Sequence, residues 1–171
     1  MAKKKSKKMN LILTIITMVV GIASFIPLLL KVWGTYDYST ITEKAGEITS
    51  LGGYFDDYSG LVDLAKIYDT TFAPIFSIIA GIGVCVATAF ALLYIVGAVL
   101  NLAGKSGTKL CKIASIGMIA SAVVIAICSF IFVSPVFKGL TTHIHFVLQL
   151  GAYLAFILPL ASGILGLLSS K

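Results

Sequence analysis

Clustered carboxylates are the first residues in this chain whose types suggest chemistry. Asp56 and Asp57 are adjacent, and Asp63 and Asp69 follow in the same polar segment. Grouped carboxylate oxygens are the ligands that hard divalent cations prefer. The spacing matches no calcium-binding loop, so we interpret these acids as a solvated face and predict no metal site.

A second candidate is the pair His143 and His145, which lies just before an apolar stretch. On a strand, histidines two residues apart share a face and bind metal well, whereas on a helix they point in different directions. We expect a helix to begin here. The pair is therefore predicted to lie at the membrane surface without binding a metal.

The three cysteines, Cys85, Cys111 and Cys128, are odd in number, and none lies between residues 34 and 71. A disulfide within that polar segment is thus excluded. Cys85 and Cys128 are expected to be small apolar packing residues. Cys111 lies among lysines at the edge of an apolar stretch, where a thiol can be palmitoylated in a eukaryotic host.

Enzymatic and transport machinery is not evident in the apolar stretches. They contain no Asp, Glu or Arg, and Lys31 and Lys138 lie at their ends, where the side chains can reach water. Proton-coupled transport commonly needs an intramembrane acid or histidine. The chain also lacks a nucleophile elbow, a glycine-rich phosphate loop and a His-Glu-x-x-His motif. We predict no catalytic residue and no cofactor.

The elements that carry these residues are membrane helices. Of the 171 residues, 58% are hydrophobic and 12% charged, with a mean hydropathy of +1.04, which excludes an ordinary water-soluble domain. Four apolar stretches, at 11–33, 72–100, 113–137 and 144–168, are each long enough to cross a bilayer. The predicted fold class is an all-α membrane protein, a four-transmembrane-helix bundle of the cell membrane. The first span is expected to be a retained signal anchor, because its apolar run is too long for a cleaved signal peptide.

Lysine placement predicts the orientation of these spans. The N-terminal tail (1–10), the loop 101–112 and the C-terminal tail (169–171) carry nine of the thirteen basic residues and no acid. The segment 34–71 carries all seven acids, and 138–143 is a short second loop on that side. The positive-inside rule therefore predicts cytoplasmic termini and an extracytoplasmic segment 34–71. Anionic lipid headgroups are the expected partners of Lys3, Lys4, Lys5, Lys7, Lys8, Lys105, Lys109 and Lys112. This accounts for the net charge of +6 without nucleic acid.

The outer segment is predicted to fold into a small cap of two short helices. Thr40 to Glu43 has the pattern of a helix capping box, and a stripe from Leu61 to Tyr68 suits an amphipathic helix. A β-hairpin remains an alternative, because residues 36–42 also suit a strand. Aromatic residues are favoured at protein interfaces. The candidate partner-binding residues of the cap are Tyr54, Phe55, Asp56, Asp57 and Tyr58.

Small residues at helical spacing are expected to bring the spans together, because close backbone approach drives helix association in lipid. The candidate packing residues are Thr17, Gly21, Gly81, Gly83, Ala87, Gly117, Ser121, Gly151, Ala155 and Gly166. Proline should modify the helices: Pro74 suits a helix start, whereas Pro27 and Pro159 should each kink a span.

This order of elements, with Trp33 where span one meets the long loop, resembles the layout of claudin-type tetraspan proteins. Claudins carry a Gly-Leu-Trp and two cysteines within that loop, and residues 34–71 contain neither. We do not extend the claudin barrier function to this chain. The predicted function is that of a non-enzymatic accessory or structural subunit that binds another membrane protein or itself. The alternative is an oligomeric channel or carrier for a small or apolar solute, with Thr14, Thr17 and Ser24 along its path.

Overall fold

The computed structural model describes residues 2–29, 34–38, 44–48, 73–133 and 144–170. Within these ranges, the chain forms four long helices, one short helix and three strands. In chain order the elements are α1 (Ala2–Ala23), α2 (Ile26–Leu29), β1 (Gly34–Tyr38), β2 (Lys44–Ile48), α3 (Ala73–Leu102), α4 (Thr108–Val133), β3 (Ile144–Leu148) and α5 (Leu150–Ser169).

Among the described residues, three helices are long and apolar enough to cross a membrane. The qualifying segments are Ile79–Leu102 of α3, Thr108–Ile131 of α4 and Leu150–Ser169 of α5. This confirms the prediction of a membrane-embedded, multi-pass chain. The apolar part of α1, Asn10–Ala23, is shorter than these segments, so the fourth span stays a prediction.

A turn at Ser24 and Phe25 ends α1 inside the first apolar stretch. Phe25 donates its N–H to the carbonyl of Ile22 at 3.0 Å, the tighter bonding typical of a helix end. Pro27 follows within one turn and has no N–H to offer the carbonyl of Ala23, so it interrupts the helix as expected. By contrast, α5 runs continuously through Pro159. Pro74 is the second residue of α3, a position that tolerates proline.

The helical cap was wrong where the structure describes it, because residues 34–38 and 44–48 are strands. β1 is the central strand of a three-stranded sheet ordered β2-β1-β3. β1 and β2 are antiparallel, with Gly34 opposite Ile48 and a register irregularity after Tyr36. The hairpin alternative accounts for this pairing. The helix expected from Thr40 does not continue into Lys44–Ile48, where backbone hydrogen bonds run to β1 instead.

The fourth apolar stretch was also placed too early. Residues 144–148 form β3, which pairs antiparallel with β1, so that His145 lies opposite Asp37. The sequence Ile-His-Phe-Val-Leu is rich in β-branched and aromatic residues, which favour a strand. The helix begins only after Gln149, whose carbonyl accepts the N–H of Tyr153 at 3.2 Å. His143 lies outside the described residues.

The chain divides into two compact units. Unit 1 comprises Met1–Ile26, Val84–Val123 and Phe156–Lys171, and unit 2 comprises Pro27–Gly83 and Val124–Ala155. Unit 2 contains the whole sheet. Its described buried residues include Ala80, Ile125, Cys128 and Leu148.

Unit 1 has a core of mostly small side chains packed around two large ones. Tyr94 of α3 and Met118 of α4 are fully buried, with Ala91, Ala98 and Ala114 beside them. Alanine lets neighbouring helix backbones approach closely. Large apolar side chains such as Ile116 lie exposed on the outside, as expected where lipid rather than water surrounds a helix.

Candidate functional site

Unit 1 contains a polar pocket with a volume of about 210 Å³. Seven of its lining side chains carry a hydroxyl or a carboxamide, and none is charged. They are Asn10, Thr14, Tyr94, Asn101, Thr108, Ser169 and Ser170. The thiol of Cys111 completes the lining.

Helix ends position most of these side chains. Asn101 lies in the last turn of α3, Thr108 is the first residue of α4, and Ser169 is the last residue of α5. Asn10 is the first residue of the apolar part of α1. The pocket therefore lies at the end of α3, the start of α4 and the end of α5.

Asn101 connects the end of α3 to the start of α4. Its side-chain oxygen accepts the N–H of Gly107 at 2.8 Å and the hydroxyl of Thr108 at 3.3 Å. Gly107 is the capping residue of α4, because its carbonyl accepts the N–H of Cys111 at 3.0 Å. One amide thus fixes both the turn and the first hydroxyl of the next helix.

A C-terminal Schellman motif shapes the same turn. Gly104 has a φ of +77°, a left-handed conformation that favours glycine. Lys105 donates its N–H to the carbonyl of Leu100 at 2.9 Å, and Gly104 donates to the carbonyl of Asn101 at 3.1 Å. These two bonds satisfy carbonyls that the end of α3 would otherwise leave unpaired.

Tyr94 joins α3 to the end of α5 across the pocket. Its phenolic oxygen lies 2.8 Å from the hydroxyl of Ser169. The Ser169 hydroxyl also lies 2.9 Å from the carbonyl of Gly166. Either hydroxyl can be the donor in the Tyr94–Ser169 pair, and each oxygen keeps at least one lone pair.

The other hydroxyls of the pocket also donate to the protein. Thr14 donates to the carbonyl of Asn10 at 2.8 Å, and Ser170 donates to the carbonyl of Gly166 at 2.7 Å. Thr108 donates to the amide oxygen of Asn101. Because a hydroxyl has one proton and two lone pairs, each of these oxygens keeps the capacity to accept a hydrogen bond. The pocket therefore offers several acceptors beside the N–H donors of the Asn10 and Asn101 carboxamides.

Further into unit 1, the hydroxyls are fully buried. Ser162 donates to the carbonyl of Thr17 at 3.3 Å, a bond between α5 and α1. Thr17 itself donates to the carbonyl of Leu13 at 2.8 Å. Thr17 and Ser24 had been expected along a solute path, but both are buried and neither lines the pocket. Only Thr14 of that group does.

The charged residues in the segments that form unit 1 are all lysines. The three segments of unit 1 contain nine lysines and no Asp or Glu. Lysines lie within two residues of the pocket residues Asn10, Thr108, Cys111 and Ser170. Lys105, Lys109 and Lys112 are exposed. The neutral pocket residues are thus flanked in sequence by lysines.

The lining does not support nucleophilic or metal chemistry. Among the described residues, no group of three His, Cys, Asp or Glu side chains is placed to hold a metal ion. Cys111 is only 3% exposed, and its thiol lies 3.9 Å from the carbonyl of Tyr94. This burial disfavours acylation of the thiol. Hydroxyls and amides in this arrangement are suited to binding by hydrogen bonds.

The structure places the predicted site residues as follows. The cap residues Tyr54, Phe55, Asp56, Asp57 and Tyr58 lie outside the described residues, as do Asp63, Asp69 and the amphipathic stripe. Nine of the ten candidate packing residues are buried, and Gly117 is half-buried. A Cβ on Gly117 would lie 2.5 Å from the ring of Phe90. Of the candidate lipid-contacting lysines, the three in or next to the 101–112 loop are exposed, and the side chains of those in the tail are outside the description.

Sequence reasoning did not find the pocket. Six of its residues, Asn10, Tyr94, Asn101, Thr108, Ser169 and Ser170, were assigned no role. The available signal was topological, because Asn10, Asn101, Thr108, Ser169 and Ser170 all lie at the lysine-rich ends of the predicted spans. Polar residues confined to one side of a helix bundle are candidates for a shared site.

Comparison of the chain with protein-family models, with curated proteins and with solved structures finds no match.

Proposed function

We propose that this protein is a non-enzymatic, four-span subunit that binds another membrane protein or itself. The supporting observation is the character of the unit 1 interior, where small side chains pack around Tyr94 and Met118. The buried hydroxyls of Thr17 and Ser162 donate to backbone carbonyls rather than facing a solute path. Such an interior suits a static scaffold better than a carrier.

The fourth span of this proposal combines α1 and α2. Leu11 to Leu29 covers nineteen residues, close to the roughly 20 that cross a bilayer. The termini lie in the cytoplasm and residues 34–71 outside, as the lysine distribution favours. The partner contacts the outer segment around Asp56, Asp57 and Tyr58.

Orientation is tested with single cysteine substitutions and a membrane-impermeant maleimide on intact cells. Ser106→Cys should be labelled only after permeabilisation, and Ser59→Cys should be labelled directly. The wild-type chain, with its three cysteines, measures the background. Direct labelling of Ser106→Cys would contradict the proposed orientation.

Partner binding is tested by crosslinking the tagged full-length protein in its native membrane, followed by mass spectrometry. The wild type is compared with an Asp56→Asn, Asp57→Asn, Tyr58→Phe variant. A Lys109→Gln, Lys112→Gln variant is the control on the opposite side. We expect one membrane-protein crosslink that the cap variant loses and the control keeps.

Two other results would each contradict a part of this proposal. Crosslinks to copies of the same chain only, together with ion or dye flux through proteoliposomes, would favour the alternative of an oligomeric channel. A partner crosslink that persists in the cap variant would show that binding does not depend on these three residues.

A further inference from the structure

We propose that the polar pocket of unit 1 binds the hydroxyl-bearing headgroup of an anionic phospholipid, with phosphatidylglycerol as the simplest example. The glycerol hydroxyls enter the pocket, and the phosphate stays at its lysine-rich margin. This inference is independent of the proposed function, because it concerns α1, α3, α4 and α5 at their lysine-rich ends and not the outer segment.

The hydrogen-bonding groups of the pocket lining favour a ligand with hydroxyl groups. Thr14, Thr108 and Ser170 each donate their proton to the protein, and the hydroxyls of Tyr94 and Ser169 are hydrogen-bonded to each other. Their oxygens can still accept hydrogen bonds. The carboxamides of Asn10 and Asn101 add N–H donors to these acceptors, so a complementary ligand both donates and accepts hydrogen bonds, whereas a phosphate without hydroxyls only accepts them. A polyol brings hydroxyl groups that donate.

The size and position of the pocket fit a glycerol headgroup. A volume of about 210 Å³ equals about seven water molecules in the liquid, which leaves room for a glycerol group and some water. Asn101, Thr108 and Ser169 lie at the ends of the three apolar helices. A lipid whose acyl chains lie beside these helices presents its headgroup at this level.

The lysines of unit 1 favour a ligand with a negative charge. Unit 1 contains nine lysines and no acid, and Lys109 and Lys112 directly follow the pocket residues Thr108 and Cys111 in the sequence. Cationic ligands, whose ammonium group would also supply donors, are repelled here. A phosphodiester is attracted, at about 1 kcal/mol per nearby lysine on a membrane surface. The ligand therefore has neutral hydroxyl groups that enter the pocket and a negative charge that stays at its margin. Phosphatidylglycerol has both.

The test is native mass spectrometry of the purified full-length protein in dodecyl maltoside, titrated separately with four dioleoyl lipids. These are phosphatidylglycerol, phosphatidic acid, phosphatidylethanolamine and phosphatidylcholine. Phosphatidic acid carries at least as much negative charge but no headgroup hydroxyl. We expect phosphatidylglycerol to bind about tenfold more tightly than phosphatidic acid, a gain that two neutral hydrogen bonds can supply.

Variants test whether the pocket causes this preference. Thr14→Val and Tyr94→Phe each remove one lining oxygen and should each weaken phosphatidylglycerol binding about fivefold, with little change for phosphatidic acid. Thr88→Val is the matched control, because Thr88 also donates to its own helix at 2.8 Å but does not line the pocket. Thr14→Ser keeps the hydroxyl and should restore binding. Circular dichroism and size-exclusion chromatography check that each variant is folded.

Several outcomes would overturn the proposal. Equal binding of phosphatidylglycerol and phosphatidic acid would show that lysine charge alone attracts lipid. Equal effects of Thr14→Val and Thr88→Val would remove the pocket from the explanation. Equal binding of phosphatidylethanolamine would contradict the charge argument. Soluble glycerophosphoglycerol that binds as tightly as the lipid would overturn the assignment to a membrane ligand.

Discussion

Replacing Gly166 by alanine should destabilise unit 1, because there is no space for another carbon atom. A Cβ at this position would overlap the Oγ of Ser115 on α4 and lie 2.8 Å from Cε2 of Tyr94 on α3. Both neighbours are fully buried. The substitution therefore forces three helices to adjust at once.

Two opposing terms determine the magnitude. Alanine in a helix interior is favoured over glycine by about 0.5–1 kcal/mol. Overpacking of a well-packed interior costs about 1–3 kcal/mol. We expect Gly166→Ala to lower the free energy of unfolding by about 1–2 kcal/mol net. At Gly21 on α1, the nearest atom to a new Cβ is the Ser162 hydroxyl at 3.4 Å, an ordinary contact. Gly21→Ala should therefore be neutral or stabilise by about 0.5 kcal/mol.

A double-mutant cycle identifies the clash. Ser115→Ala removes the overlapping Oγ, although it also loses the bond from Ser115 to the carbonyl of Cys111 at 2.7 Å. In that background, Gly166→Ala should cost less, with a coupling of about 0.5–1 kcal/mol. Tyr94 prevents full relief, because its ring edge remains close.

The measurement is equilibrium unfolding of the full-length protein in mixed micelles of dodecyl maltoside and SDS, followed by far-UV circular dichroism. If Gly166→Ala and Gly21→Ala differed by less than about 0.5 kcal/mol, or if Ser115→Ala showed no coupling, the close-packing argument would be refuted.

Three further substitutions test the turn and the interior in the same unfolding assay. Gly104→Ala should cost about 1 kcal/mol because its φ is +77°, and wild-type stability would contradict that backbone conformation. Asn101→Leu should cost about 1–2 kcal/mol, since the N–H of Gly107 loses its 2.8 Å acceptor; a smaller cost would mean that water replaces the amide. Ser162→Ala should cost less than about 1 kcal/mol, because its bond to the carbonyl of Thr17 is long at 3.3 Å. A larger loss would indicate that this bond is the main link between α1 and α5.

Hydropathy and length were sufficient to predict the long apolar helices. The stretch predicted at 72–100 is α3 at Ala73–Leu102, and that predicted at 113–137 overlaps α4 at Thr108–Val133. An apolar run of this length has few alternatives to a helix, because its backbone polar groups must be satisfied internally in lipid. The starting residue of α4 is less constrained by hydropathy. It depends on the turn that Asn101 and Gly107 form.

Strand pairing explains why the helical cap and the early start of the fourth span were wrong. β1 pairs with β2 nearby in sequence and with β3 more than a hundred residues away. Residues 144–148 are apolar enough to continue a transmembrane helix, and the presence of β1 decides between strand and helix. Local patterns do not contain that information. The kink predicted at Pro27 coincides with the break between α1 and α2, whereas the kink predicted at Pro159 falls in a helix that continues through this residue.

The pocket shows how a site can be hidden by residues that are individually ordinary. Asn101 and Thr108 look like turn residues, and Ser169 and Ser170 look like a polar helix end. Each donates its proton, or accepts with its amide oxygen, in a local hydrogen bond, so none resembles a ligand-binding group. The binding capacity is the set of lone pairs left over after those bonds form, and it exists only where the ends of the helices meet. Lysine positions assign the ends of the spans to one side of the membrane. Such a site becomes predictable from sequence once its polar residues are known to share a side.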